Sequence, residues 1–395
     1  MRKLPMGSQK RVLIAAPLYG AGGRETHLLK LCRALANEGA EVTVAARIFH
    51  PATPLVTEAS SIPVRFVSTP FAQYKRWARL STLWAMVFWP FRLRKQRFDV
   101  LYTFDVTRFT GFLMRFLAVS GKLILNRAGN LITKEEWPLV NLPTPHAIIV
   151  ESELQAQAMR EFGAADLPIF TIPNLGHYES PCVRTRTMGR DTLRVSFLGR
   201  YDENKGVFRL LDIWAQSIAN DLELCFYGHG DRKRLQERIE AHTLSDRVAI
   251  KQGWHTYEEL AGIFNETDFV VLPSFSEGLP LVLLEAMAHG VPFVATDVGA
   301  IRTLADDNPD VLIIANNDNA IKEGIKQMAA DIRSGNIDGM RLQKYHEERY
   351  GFEQLSRLWV EALLHPEEFD AHLESRTTQI GSDGLTEAHE YQLSH

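Results

Sequence analysis

A chain of 395 residues with 45% hydrophobic content exceeds one ordinary core of roughly 100–200 residues and can fill two, so a two-domain globular protein is expected. Its three cysteines (Cys32, Cys182, Cys225) are far apart and lack CxxC spacing, which argues against a zinc or disulfide framework and fits a reducing, cytoplasmic compartment. The net charge of −4 hides an asymmetry: residues 1–180 hold 22 Lys and Arg against 13 Asp and Glu, the rest 22 against 35, which suggests acidic substrates or an anionic surface for the front half, although solvated faces alone would produce much of the same bias; no nucleic-acid partner is expected.

The basic start carries only a short apolar run, RVLIAA at 11–16, which reads as a first strand and not as a secretion signal. The loop PLYGAGGRETHLL follows, with Gly20, Gly22 and Gly23 ahead of an amphipathic helix expected over about 25–38. Backbone N–H groups and the helix dipole there suit an anion, although tight strand-to-helix geometry would use the same glycines. Strands are then expected at EVTVAA (41–46), VRFV (64–67), DVLYT (99–103), KLILN (122–126) and AIIVES (147–152). Short β-rich runs alternating with helices imply a parallel sheet covered on both faces.

Residues 73–98, QYKRWARLSTLWAMVFWPFRLRKQRF, hold seven Lys and Arg and no acid, with Trp77, Trp84, Phe88, Trp89 and Phe91 among them. An interfacial helix joins a cationic rim to aromatic anchors in this way, so these residues are a candidate contact with an anionic membrane surface. A core helix with Trp84 and Phe88 inward and Pro90 at its end fits the same pattern. The longest apolar run here, 83–91, is far below the roughly 20 residues a membrane-spanning helix needs.

From Pro173 to Thr192 the alternation lapses into a stretch of proline, glycine and mixed charge, read as a linker. A second series follows: LRVSFLG (193–199), LELCFYG (222–228), VAIKQG (248–253), DFVVLP (268–273), PFVAT (292–296) and VLIIA (311–315). The expected organisation is a first Rossmann-like domain over 1–175, a linker over 176–192, a second such domain over 193–345, a helix crossing back within 346–365 and a polar, mobile tail over 366–395. Ligands of such sheets bind beyond the carboxyl ends of the strands.

In FLGRYDENKGVFRLL, Arg200 and Lys205 flank a turn and place two cations where a diphosphate would fit, unless Asp202 and Glu203 neutralise both. In FYGHGDRKRL, Gly228 and Gly230 end a strand and Asp231 can cap the next helix, a pattern that is often turn chemistry alone. The richest stretch is SFSEGLPLVLLEAMAHG, in which Glu277 and Glu285 interrupt a nearly continuous apolar run. A buried carboxylate without a partner costs roughly 2–7 kcal/mol, so each needs one. Gly278, Leu279 and Pro280 bring backbone close to the cleft, and at 100° per residue the two acids fall on roughly one side, where one ligand reaches both. Carboxylates suit paired hydroxyls; the competing account has Glu277 capping the helix and Glu285 pairing with a core cation.

GRYDENKG, YGHGDRKRL and DFVVLPSFSEGLPLVLLEAMAHGVPFVATDVGAI together resemble the donor half of the retaining glycosyltransferases of family 4, which have the GT-B architecture of two doubly wound α/β domains facing a central cleft. GAGGRETHLLKLCRALANEGAEVTV and TIPNLG resemble that family's acceptor-side glycine loop and interdomain turn. The resemblance implies a nucleotide-diphosphate-sugar co-substrate, no cofactor and no bound metal; no Asp-x-Asp occurs. It assigns Glu285 to the ribose, Glu277 to the donor sugar, Arg200 and Lys205 to the leaving diphosphate, and Gly22 and Gly23 to the phosphates or the transferred sugar. One departure stands out. Where relatives have histidines near the reacting sugar, this chain has Tyr102 and Phe104, and Arg127 or Ala128; Asp105, Asn126 and Arg127 are the proposed substitutes.

The expected activity is therefore retaining transfer of a hexose to a lipid-linked or polysaccharide acceptor of the cell envelope, such as lipopolysaccharide, at the inner face of a membrane. A non-catalytic nucleotide-sugar-binding or scaffolding protein of the same fold is the alternative. A dinucleotide-dependent dehydrogenase fits less well, because GAGGRE lacks GxGxxG spacing.

Overall fold

The computed structural model describes residues 9–16, 18, 22–46, 49–50, 62–70, 72–74, 77–104, 108–117, 122–127, 144–178, 192–217, 221–253, 256–305 and 308–369. Gly20, Asp105, Ala128, Cys182, most of the expected linker and the tail from 370 lie outside them, as does the side chain of Arg127.

Among the described residues the strands form two parallel sheets. The first is ordered β3-β2-β1-β4-β5-β6-β7, from β1 (Arg11–Ala15), β2 (Glu41–Ala46), β3 (Val64–Ser68), β4 (Val100–Thr103), β5 (Lys122–Arg127), β6 (Ala147–Val150) and β7 (Ile169–Thr171). The second is ordered β10-β9-β8-β11-β12-β13, from β8 (Leu193–Tyr201), β9 (Leu222–Gly230), β10 (Val248–Ile250), β11 (Phe269–Leu272), β12 (Phe293–Thr296) and β13 (Leu312–Ile314). Each sheet reverses its strand order once, at β1/β4 and at β8/β11, and such reversals open crevices at the carboxyl ends of the strands. This is the GT-B architecture of two Rossmann-like domains.

The first domain's helices are α1 (Gly23–Asn37), α2 (Ala78–Arg94), α3 (Arg108–Leu117) and α4 (Glu153–Met159). The second carries α5 (Val207–Ser217), α6 (Arg232–Ala241), α7 (Tyr257–Glu266), α8 (Leu281–Ala288), α9 (Ile301–Leu304), α10 (Asp318–Arg333) and α11 (Gly339–Tyr350), and α12 (Phe352–Leu364) ends the series. Strand alternation divides the first core in two. Val12, Ile14, Val42 and Val44 pack with α1, while Leu13, Ala15, Ala45 and Val67 pack with Ala85, Trp89 and Leu93 of α2 and Leu113 of α3.

α12 returns to the first domain and packs on α1. Trp359 is fully buried, donates from Nε1 to Pro173 O at 2.8 Å and lies 4.5 Å from the His27 ring. Lys10 donates to Leu364 O, and Lys122 pairs with Glu367 at 2.6 Å. One apolar cluster consequently runs from Val12 through Leu175 and Trp359 into the second domain. The break before the returning helix falls at Gly351, and α11 runs through position 345, so that expected boundary cuts a helix.

Pro90 does not end its helix: α2 continues to Arg94. Phe88 points outward and Trp89 inward, so Phe88 is no core residue and Trp89 no surface anchor.

Candidate functional site in the interdomain cleft

The second-domain wall lies at the β8/β11 reversal, and its two loops are stitched together. Asn204 O accepts from Phe275 N at 2.8 Å, and Asn204 Nδ2 donates to Ser276 O at 3.1 Å. Gly206 has φ +70°, and a Cβ there would sit 2.1 Å from Pro273 O, so only glycine permits this approach. The stitching aims Lys205 at Glu277: Nζ lies 2.7 Å from both carboxylate oxygens. Ser274 Oγ donates to the same carboxylate at 2.6 Å. Glu277 is 6% exposed and the Lys205 side chain 20%, so the pair is largely dehydrated, and its charges act more strongly than in water.

A third loop supports Glu277 from behind. Gly299 has φ +60°, its Cβ would lie 2.0 Å from Glu277 O, and Ala300 N donates to Gly278 O at 3.0 Å. Pro280 opens α8, whose fifth residue is Glu285.

Arg200 belongs to the paired extension of β8, where Arg200 faces His229 and Tyr201 faces Gly230, just ahead of the turn that carries Lys205. Gly228 and Gly230 lie within the matching extension of β9, because a Cβ at Gly228 would strike Gly199 O at 1.9 Å; Asp231 does cap α6, accepting from Arg234 N at 3.1 Å. The Arg200 guanidinium is exposed and meets Asp202 at 3.3 Å, while the other Asp202 oxygen accepts from Lys205 N at 2.9 Å. Asp202 therefore ties the Arg200 side chain to the Lys205 backbone. Glu203 is drawn off to Arg234 at 2.5 Å and does not neutralise Lys205.

The first-domain wall is a buried polar cluster on α1 and the turn from Pro173 to Tyr178. Gly22 is the extended N-cap of α1, and a Cβ on Gly23 would lie 3.1 Å from Leu281 Cδ1, so the glycine loop faces α8 directly. Glu285 Oε1 accepts from His177 N at 2.9 Å, and His177 Nε2 meets Thr26 Oγ1 at 3.3 Å. Because Glu277 precedes the helix, the 100° projection does not apply to it: Glu277 holds Lys205, whereas Glu285 holds the interdomain turn.

Leu175 N donates to His27 Nδ1 at 2.9 Å, which leaves the proton on Nε2, 3.3 Å from Tyr102 Oη. Tyr102 Oη also accepts from Asn126 Nδ2 at 2.8 Å. Burial lowers the pKa values of His27 and His177 to about 3, Lys30 and Arg33 adding to the effect at His177, so both rings are neutral at physiological pH. Tyr102, Phe104 and Asn126 are all buried: the two residues at the first pair of histidine positions, with the proposed substitute Asn126, form a core support, Phe104 lying edge-on to His27 at 5.5 Å.

Glu151, which sequence reasoning did not select as a site residue, follows β6 and is 6% exposed. It accepts from Asn174 Nδ2 and, at 3.4 Å, from Leu279 N across the cleft. The available signal was its position: an acid directly after a wholly apolar parallel strand, where ligands gather. His27, His177 and Ser274 carried no such mark.

Residues 192–331 match the family described as glycosyl transferases group 1, and residues 22–125 match a glycosyl transferase 4-like domain. The chain belongs to the group 1 glycosyltransferases. It is 31% identical over 184 residues to a D-inositol 3-phosphate glycosyltransferase of Paenarthrobacter aurescens, a stretch covering 44% of each chain, so the match spans less than half of that curated relative. It is 25% identical over 312 residues to the phosphatidyl-myo-inositol mannosyltransferase of Mycobacterium leprae, covering 72% of this chain and 78% of that protein. Among solved structures, Anabaena HepE in complex with UDP and glucose superposes with a TM-score of 0.71 at 17% identity, covering 89% of this chain and 99% of that one, a likeness of fold.

Proposed function

We propose that the protein transfers a sugar from a nucleotide-diphosphate sugar to a lipid-linked or polysaccharide acceptor, with retention at the anomeric carbon. The observation that carries this reading is the Lys205–Glu277 pair, desolvated at the β8/β11 reversal and flanked by Arg200 through Asp202. Lys205 and Arg200 neutralise the diphosphate as it departs, the work a divalent metal does elsewhere, so no metal enters the proposal. Glu277 fixes Lys205 and accepts hydrogen bonds from donor-sugar hydroxyls; Glu285 takes the ribose diol, exchanging the His177 amide for it. The Gly22–Gly23 turn approaches the phosphates or sugar from across the cleft.

The buried Tyr102 and Phe104 supply no base, and retention from the leaving-group face needs none. As the bond from C1 to the phosphate oxygen breaks and the bond to the acceptor oxygen forms, the acceptor proton passes to the departing phosphate. Asp105 and Arg127 are proposed to orient the acceptor. The names of the two curated relatives, one for an inositol phosphate and one for a phosphoinositide, support a polar or lipid-borne acceptor. The UDP and glucose held by HepE support the donor class.

Thermal shift against a panel of nucleoside diphosphates is the direct test: at 100 times its Kd the correct one raises stability by about 2.7 kcal/mol. Transfer assays with the matching sugar, with and without chelator, should then give equal rates. If no nucleotide raises the melting temperature, the donor assignment fails; binding without transfer or hydrolysis would leave a non-catalytic sugar-nucleotide binder.

A further inference from the structure

Eight of the eleven large hydrophobic side chains exposed among the described residues lie between Tyr74 and Phe116. Six of them, Trp77, Leu80, Leu83, Val87, Phe88 and Phe91, recur at helical spacing and form one stripe along α2 and the turn before it. Leu83 is 60% exposed and Phe91 69%, although the opposite side of the same helix is sealed by Ala85, Trp89 and Leu93. α3 packs beside α2 and adds exposed Phe116. Contiguous apolar surface on this scale marks an interaction site.

The charge around the stripe selects the partner. Arg94 and Lys95 are exposed and project along it at its C-terminal end, with Arg79 and Arg92 on its flanks, and residues 73–98 contain no acid to balance them. A twofold pairing of two copies through this face would set like charges against one another. An anionic lipid surface instead receives both parts, headgroups meeting the cations and acyl chains the apolar stripe. None of the described helices is long and apolar enough to cross a bilayer.

We infer that α2, supported by α3, is an interfacial anchor that docks the first domain on an anionic membrane. The anchor packs on the sheet face opposite α1, so docking leaves α1 and the cleft free to open and close. A membrane-bound acceptor would then diffuse in two dimensions past the first-domain wall. This deepens the lipid-linked reading above, but its readout is binding without turnover, so it fails or stands separately.

Flotation of the full chain with phosphatidylcholine vesicles, with and without phosphatidylglycerol, tests the proposal. Binding should be at least roughly tenfold tighter with the anionic lipid and weaken as salt is raised. Leu83→Ser with Phe91→Ser, and separately Arg94→Glu with Lys95→Glu, should each reduce binding roughly tenfold or more while leaving the melting temperature and nucleotide binding unchanged. Equal binding to neutral and anionic vesicles, no binding to either, or a dimer in sedimentation that the Leu83/Phe91 variant abolishes would each overturn it.

Discussion

The two walls of the cleft are built by opposite strategies. The second-domain wall gathers its charges from loops at the sheet's β8/β11 reversal, and the decisive pair, Lys205 with Glu277, is held by backbone stitching between them. The first-domain wall collects buried polar groups from distant parts of the chain: His27 with Leu175, Tyr102 with Asn126, Glu151 with Asn174 and Leu279. One wall holds charge ready for a ligand, and the other fixes the turn on which the domains meet. The difference teaches that reactivity and hinge geometry can be separated within one cleft.

Breaking the second-domain wall's charge should have the largest effect. Glu277→Gln is expected to lower kcat/KM about 10³-fold, equivalent to ~4 kcal/mol, while nucleoside diphosphate still binds; steady-state kinetics with a binding assay checks both. Next comes the support behind it. Gly299→Ala places a Cβ against Glu277 O at a positive φ and should cost ~1–3 kcal/mol in urea unfolding, with a loss of kcat because the Glu277 loop shifts.

Glu151→Gln sharpens the comparison from the other side. One of its two donors would then face an amide N–H in place of an oxygen, and kcat/KM should fall about tenfold, or ~1.4 kcal/mol, with no change in nucleotide affinity. The remaining test is a pH dependence of stability. His27 and His177 have folded values near 3 against an unfolded value of 6.5, so between these the unfolded chain binds protons that the folded chain refuses. Stability is fully present above 6.5 and falls as pH drops, by ~1.4 kcal/mol per unit for each ring that stays neutral. Urea titrations at about pH 7 and about pH 5.5 should show this, with a shallower slope in His27→Gln.

Much of this was legible in the sequence, for identifiable reasons. Twelve of the thirteen described strands are short apolar runs for which period and punctuation sufficed; the three-residue β7 was too short to stand out. Glu277 stood out because a charge in an apolar setting needs a partner, and Lys205 as a cation beside a strand end, but their direct pairing did not, since it joins residues 72 positions apart. Arg200 was rightly placed beside the turn, but nothing local shows that β8 and β9 continue past it as a paired extension through glycines. Of the readings of residues 73–98, the core reading holds for one face of the helix, while the interfacial reading rests on the exposed face and remains a proposal. A helix has two faces, and the pattern could not say that Phe88 faces out and Trp89 in, nor that Pro90 is accommodated mid-helix.

The returning helix has a bearing on how the molecule is made. Trp359 fills the space between His27 and Pro173, and Lys10 and Lys122 are satisfied by the backbone and side chain just beyond it. On the ribosome, the half that emerges first must therefore wait for nearly the whole remainder before its interior is filled. At roughly 5–20 residues per second that interval is on the order of 10 s or more. Nascent chains halted before residue 359 should expose an unfinished amino-terminal half to chaperones, even though every strand of its sheet has already been synthesised.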